Sequence, residues 1–250
     1  MKKLLLIILM IFPFIVSACS CDNFNMATYE KAVKNYNNST GFEYTLTITK
    51  RVEGQNYYTR EEYKNKYLLK TTGEVENFSS ELKSYRIDTP QDAPESAPRL
   101  IYTLYRYYVG ETNRFYTRQI GENLSEVKGY KNNSYDEEYS DINSQYNIKN
   151  LVPVFQKNQL TGFSISNIDG KDGYSASLFT APVLSCYASD SEETLYAVTM
   201  DKNFYFYEME FVLEKDSSTA TYEYKFLNYN SDVNIEFPID LVSYPELDWF

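Results

Sequence analysis

Along most of this chain apolar and polar residues alternate with a period of two, the spacing of a strand with one buried and one wet face. Phe42, Tyr44, Leu46 and Ile48 alternate with Glu43, Thr45, Thr47 and Thr49. Similar patterns predict strands at Tyr57 to Tyr63, Lys66 to Thr72, Val75 to Ile87, Arg99 to Val109, Phe115 to Ile120, Phe163 to Ile168, Tyr174 to Thr180 and Leu195 to Met200. A late hairpin is the clearest. Tyr205, Tyr207, Met209, Phe211 and Leu213 share one face, Glu214 to Ser218 turn the chain, and Tyr222, Tyr224 and Phe226 form the matching face of the return strand. Val233, Ile235 and Phe237 predict a closing strand, ended by Pro238.

Two stretches follow a different period. Tyr29, Ala32, Val33 and Tyr36 fall at i, i+3, i+4 and i+7, which predicts a helix from Thr28, with Thr28 capping its first turn and Asn37 to Gly41 ending it. Between Asp141 and Gln159 the apolar positions Ile142, Tyr146, Ile148, Leu151, Val152 and Phe155 suit one or two short helices near Pro153. Pro90, Pro94 and Pro98 mark a loop between strands. A helix, a long antiparallel meander and a helical interruption predict an α+β fold, one curved sheet with helices on one face.

The first 21 residues are unlike the rest. Lys2 and Lys3 precede an unbroken apolar run from Leu4 to Val16, too short to span a bilayer but suited to a secretory signal. Val16-Ser17-Ala18-Cys19 resembles the lipobox of bacterial lipoproteins, in which the Cys thiol receives a diacylglycerol and the peptide is cut before it. The resemblance implies a signal peptide at 1–18 and a lipidated tether at 19–26; no Gly/Ser-rich or Pro-rich linker divides the rest, so a single domain is expected at 27–250. It implies attachment to the extracytoplasmic face of a cell membrane through acyl chains such as palmitate on Cys19.

The globular part is similar to the LolA, LolB and LppX-like lipoprotein superfamily. The residues that carry the likeness are Tyr29-Glu30-Lys31-Ala32-Val33 leading into Gly41-Phe42-Glu43-Tyr44-Thr45-Leu46, and Tyr222-Glu223-Tyr224-Lys225-Phe226 through Asn230 to Pro238. Members wrap a half-barrel around helices and hold acyl chains between them. The resemblance implies a half-barrel with the N-terminal helix and the helical insertion packed on its concave face, and a lipid or other amphiphile as ligand.

Charge narrows the partners. Lys and Arg number 24 against 35 Asp and Glu, a net −11, and loss of Lys2 and Lys3 with the signal makes it −13. A chain this acidic is repelled by phosphate backbones and anionic headgroups, so no nucleic acid is expected and membrane attachment falls to acyl chains. With Cys19 committed to lipid, Cys21 in the tether and Cys186 in the folded part remain, too few for a disulfide scaffold or a zinc site.

The chain has no histidine. Ser-His-Asp and Cys-His catalysis and His-ligated metals are thereby excluded. Ser125-Glu126-Val127-Lys128 lacks the companion motifs of penicillin-recognising enzymes, and Glu61-Glu62, Glu137-Glu138 and Glu192-Glu193 are strand neighbours that point to opposite faces. Asn167 to Gly173 fails the EF-hand rule, because Lys171 and Leu178 stand where oxygen ligands belong. No enzyme activity, cofactor or metal is expected. The 26 Tyr and 15 Phe serve as strand formers or line a concave pocket. Inward-facing Phe42, Tyr44, Leu46, Tyr207, Met209, Phe211, Tyr224 and Phe226 are the candidate ligand-binding residues. Two other readings stay open: a surface module that recognises a protein or glycan through exposed Tyr, and a hydrolase that uses carboxylates.

Overall fold

The computed structural model describes residues 26–90, 94–121, 127–132, 160–168, 171–180, 194–215 and 217–245. The signal segment, Cys19, Cys21, Cys186, the helices expected between 141 and 159, and the pairs Glu137-Glu138 and Glu192-Glu193 lie outside these residues.

Helix α1 occupies 26–38 and is followed by β1 (Gly41–Val52), β2 (Tyr57–Leu69), β3 (Val75–Asp88), β4 (Arg99–Val109), β5 (Arg114–Gly121) and β6 (Val127–Asn132). The second half supplies β7 (Leu160–Ile168), β8 (Lys171–Thr180), β9 (Thr194–Asp201), β10 (Phe206–Lys215) and β11 (Ser218–Tyr229). All pair antiparallel in one unclosed 11-stranded sheet, in the order β6-β5-β4-β3-β2-β1-β11-β10-β9-β8-β7. The first and last strands therefore meet at its centre. A twisted sheet this wide curls, and α1 packs on one of its faces.

One face of the sheet carries the main core. Phe42, Tyr44, Leu46 and Ile48 of β1 are buried, together with Tyr67, Phe78, Tyr108, Phe115, Met209, Phe211, Tyr222, Tyr224 and Phe226 from the neighbouring strands. Helix α1 packs there through Tyr29, Ala32 and Tyr36, with the Tyr36 ring 4.7 Å from Phe42 and 6.0 Å from Phe206 and Phe226. Its C-terminal end is held by Ser39, whose Oγ donates to the Asn35 carbonyl, while Asn35 Nδ2 donates to the carbonyls of Asn203 and Phe204. The outer face is a field of exposed or half-exposed ion pairs: Lys66 with Glu43 at 3.3 Å, Lys83 with Glu81 at 3.0 Å, Lys225 with Glu208 at 3.7 Å. Pairs of this kind contribute little stability but mark that face as wet.

Four expectations are corrected. Helix α1 is already formed at 26 and Thr28 is buried within it, so Thr28 is not its cap. The strands expected at Tyr57 to Tyr63 and Lys66 to Thr72 are one strand, β2; Asn65, a buried polar residue on its core face, interrupts the apolar alternation without breaking the ladder. Third, Tyr205 and Tyr207 do not share a face with Met209. A register shift between Phe206 and Glu208 buries Phe206 in line with Met209 and turns Tyr207 outward, where Lys225 Nζ lies 4.9 Å from its ring.

The fourth correction concerns Val233 to Phe237, which are not a strand. Both edges of β1 are already occupied, by β2 and β11, so the sheet offers this segment no free edge there. Asn230, with φ of 56°, turns the chain at the end of β11, and its Oδ1 accepts from Thr40 N at 2.9 Å. From there the segment lies flat on the outer face. Lys66 Nζ donates to the Asn234 carbonyl, Phe237 packs edge-on to Tyr107, and Leu241 and Tyr244, around a 3-10 turn at Ile239–Ser243, form a second small core with Tyr116. Residues 233–237 alternate because one side of an extended segment rests on the sheet.

Candidate ligand-binding face

The register sorts the inner face of β1 to β5 into rows that run across the strands. Nearest α1 the row is aromatic throughout: Phe42, Tyr67, Phe78, Tyr108 and Phe115 stand directly opposite one another in turn. The next row is Tyr44, Asn65, Ser80, Arg106 and Thr117, and the one beyond it Leu46, Tyr63, Leu82, Leu104 and Gln119. A polar row thus runs between an aromatic row and a mainly apolar one.

Ring contacts continue across the seam where the chain's two halves meet. Phe78 lies 4.7 Å from Tyr67, Tyr67 stacks on Tyr44 at 6.1 Å, Tyr44 lies 5.7 Å from Tyr224, and Tyr224 stacks on Phe211 at 6.2 Å. Five strands are joined by one diagonal of aromatic rings. Such pairs add about 0.5–1.5 kcal/mol each beyond the area they bury. At the end away from α1 the inner face turns polar, with Glu61 accepting from Tyr63 OH at 3.1 Å and pairing with Lys50 at 3.4 Å. Glu62, its neighbour, lies on the outer face and pairs with Arg60, so Glu61 and Glu62 do not converge.

Of the eight candidate residues, Phe42, Tyr44, Leu46, Met209, Phe211, Tyr224 and Phe226 all lie on this inner face and are buried. Tyr207 is the exception, as described. Tyr67, Phe78 and Phe206 belong to the same face and were not singled out from the sequence, and Tyr222, placed on the return strand's matching face, was not among the candidates. In β3 the inward positions read Phe78, Ser80, Leu82, Ser84, and the two serines hide the apolar period.

Burial also sets the chemistry of the phenols. It pushes Tyr36 well above the ordinary tyrosine range, with smaller contributions from Tyr229 and Tyr44; Tyr229 is raised by burial and then by Asp201. Tyr229 OH donates to the Phe206 carbonyl at 2.7 Å. These groups stay neutral and pack as aromatic surface. Among the described residues no group of three or more His, Cys, Asp or Glu could hold a metal ion, and no helix is long and apolar enough to cross a membrane. Beside α1 the strand ends open into a cavity of about 360 Å³ lined by Tyr205, Tyr207, Asn228, Asn230 and Asp232 among others. At the end of the β7–β8 pair, Asn167 stands opposite Asp172 and Ile168 opposite Lys171; the two residues between lie outside the described residues.

No family model matches this chain, and no curated protein does. Among solved structures it is similar to LprF from Mycobacterium bovis, at 11% identity and a TM-score of 0.47 over 86% of this chain and 97% of that one. It is also similar to the lipoprotein LppX of Mycobacterium tuberculosis, at 12% identity and a TM-score of 0.44 over 86% of this chain and 100% of that one. A LolA superfamily protein from Nitrosomonas europaea matches at 12% identity and a TM-score of 0.24, over 86% and 94% of the two chains. Likeness at this level says nothing of what this chain binds.

Proposed function

We propose that this protein is a lipid-anchored, extracytoplasmic binding or carrier protein that holds a lipid or another amphiphile on the inner face of its half-barrel without catalysing a reaction. The observation that carries the reading is the inner face itself: aromatic and apolar rows over many strands, with a polar row among them, on a sheet whose other face is charged. A surface built this way offers a chain apolar area and a headgroup hydrogen bonds. The anchor at Cys19 is supported by the sequence pattern of residues 2–19.

Alanine variants at the eight candidate positions test the reading in the full-length protein, reconstituted into phosphatidylcholine vesicles. Thermal melting and covalent labelling by a photoactivatable fatty acid are both measured. Phe42 and Phe226, which touch or neighbour the α1 ring Tyr36, are core: each should cost about 3–5 kcal/mol when cut to Ala. Tyr44, Leu46, Met209, Phe211 and Tyr224 should lose labelling, and Tyr207, on the other face, should lose neither. If every position moves melting alone and the wild-type protein is not labelled, the reading is wrong.

A second reading, recognition of a protein or glycan through surface tyrosines, has one observation in its favour. The cavity that Tyr205 and Tyr207 line is open and bordered by Asn228, Asn230 and Asp232, groups able to bind hydroxyls.

A further inference from the structure

Asn65 stands at the middle of the inner face with 1% of its surface exposed. Its neighbours along β2 on that face are Tyr63 and Tyr67, and directly across the sheet stand Tyr44 and Ser80. A carboxamide offers two N–H donors and an oxygen with two lone pairs. Neither Nδ2 nor Oδ1 of Asn65 has a hydrogen-bond partner in this fold. Most buried polar groups in native proteins are paired, and one left unmet on both atoms calls for an explanation.

Its place in the sheet supplies one. In the row Tyr44, Asn65, Ser80, Arg106 and Thr117 the four residues after Tyr44 are polar and non-aromatic, while the row on its α1 side is aromatic at every position. An apolar side chain at this point would leave nothing unmet.

The geometry points to Asn65 as the hydrogen-bonding anchor for an amphiphile whose polar group, an amide, both donates and accepts hydrogen bonds; this rests on the binding reading above. The amide lies along the polar row and meets Nδ2 with its oxygen and Oδ1 with its N–H. The hydrocarbon chain lies over the mainly apolar row on the side away from α1, where Tyr63 and Leu104 are partly exposed. An ester of the same chain has no donor and leaves Oδ1 unmet. A site built to pair a polar group discriminates against an analogue that lacks it more sharply than an apolar pocket discriminates by size.

The test uses full-length protein in phosphatidylcholine vesicles containing a photoactivatable fatty primary amide or the methyl ester of the same acid. Labelling is read by intact mass after illumination. The wild-type protein should be labelled about tenfold more by the amide than by the ester, the factor that one or two neutral hydrogen bonds supply. Asn65→Leu should bring amide labelling down to the ester level and leave ester labelling unchanged. Equal labelling of the wild-type protein by the two probes overturns the proposal without recourse to any variant, leaving Asn65 paired with an ordered water only. So does an amide preference that survives in Asn65→Leu. If neither probe labels the wild-type protein, the binding reading itself falls, and this proposal with it.

Discussion

Tyr107 shows how a single residue reports on its surroundings. It lies on the outer face beneath the C-terminal segment, and burial, then the nearby Tyr244, raises its pKa from 10.0 to about 12. The folded state therefore holds the phenol proton more tightly than the unfolded chain. Below pH 10 both states keep it and it contributes no pH dependence; between 10 and about 12 only the unfolded chain releases it, so stability falls as pH rises through that window. Chemical denaturation at about pH 9 and about pH 11 should show this fall, and Tyr107→Phe should make it smaller. At this scale the sequence was readable where alternation was clean, as at Phe42, Tyr44, Leu46, Phe211 and Tyr224. It misled at Tyr207, because one extra residue beside Phe206 exchanges the two faces and the bulge has no marker such as Gly. Asn65 was passed over because a polar residue between two apolar runs reads as a break between strands, whereas β2 runs through it.

Among the elements, the segment after β11 behaves least as its pattern suggests. It adds no strand, yet Phe237, Leu241 and Tyr244 close a small core over Tyr107 and Tyr116. Phe237→Ala and Tyr244→Ala should each cost about 2 kcal/mol, less than a fully buried aromatic, and leave ligand labelling unchanged because this core is on the outer face. Melting and labelling on the same two variants check both statements. The bounds of β1, β4, β5 and the late hairpin could be read closely from period, proline and turn residues. What could not be read was pairing: which strand edges remain free depends on β1 and β11 meeting at the centre, a contact between the two ends of the domain. Without that knowledge Val233 to Phe237 looks like any other strand.

For the whole molecule, the division of labour between faces is the main result. One face is charged and wet and the other is aromatic with a polar row; Cys19, the residue proposed to attach the chain to a membrane, lies outside the described residues. If Cys19 carries the acyl chains, Cys19→Ala should abolish lipid labelling with radioactive palmitate and release the protein from the membrane fraction; unchanged incorporation would remove the anchor from the account. The fold class was open to sequence reasoning because it needs only periods and their order. The ligand was not, because it depends on how rows from distant strands line up. Native mass spectrometry of the full-length protein, extracted from membranes in a mild detergent, tests the central claim most directly. A bound lipid or amphiphile of defined mass should be retained by the wild-type protein and lost from Tyr44→Ala and Phe211→Ala variants that remain folded. A wild-type protein that carries no such molecule, and takes none up when amphiphiles are added, would contradict it.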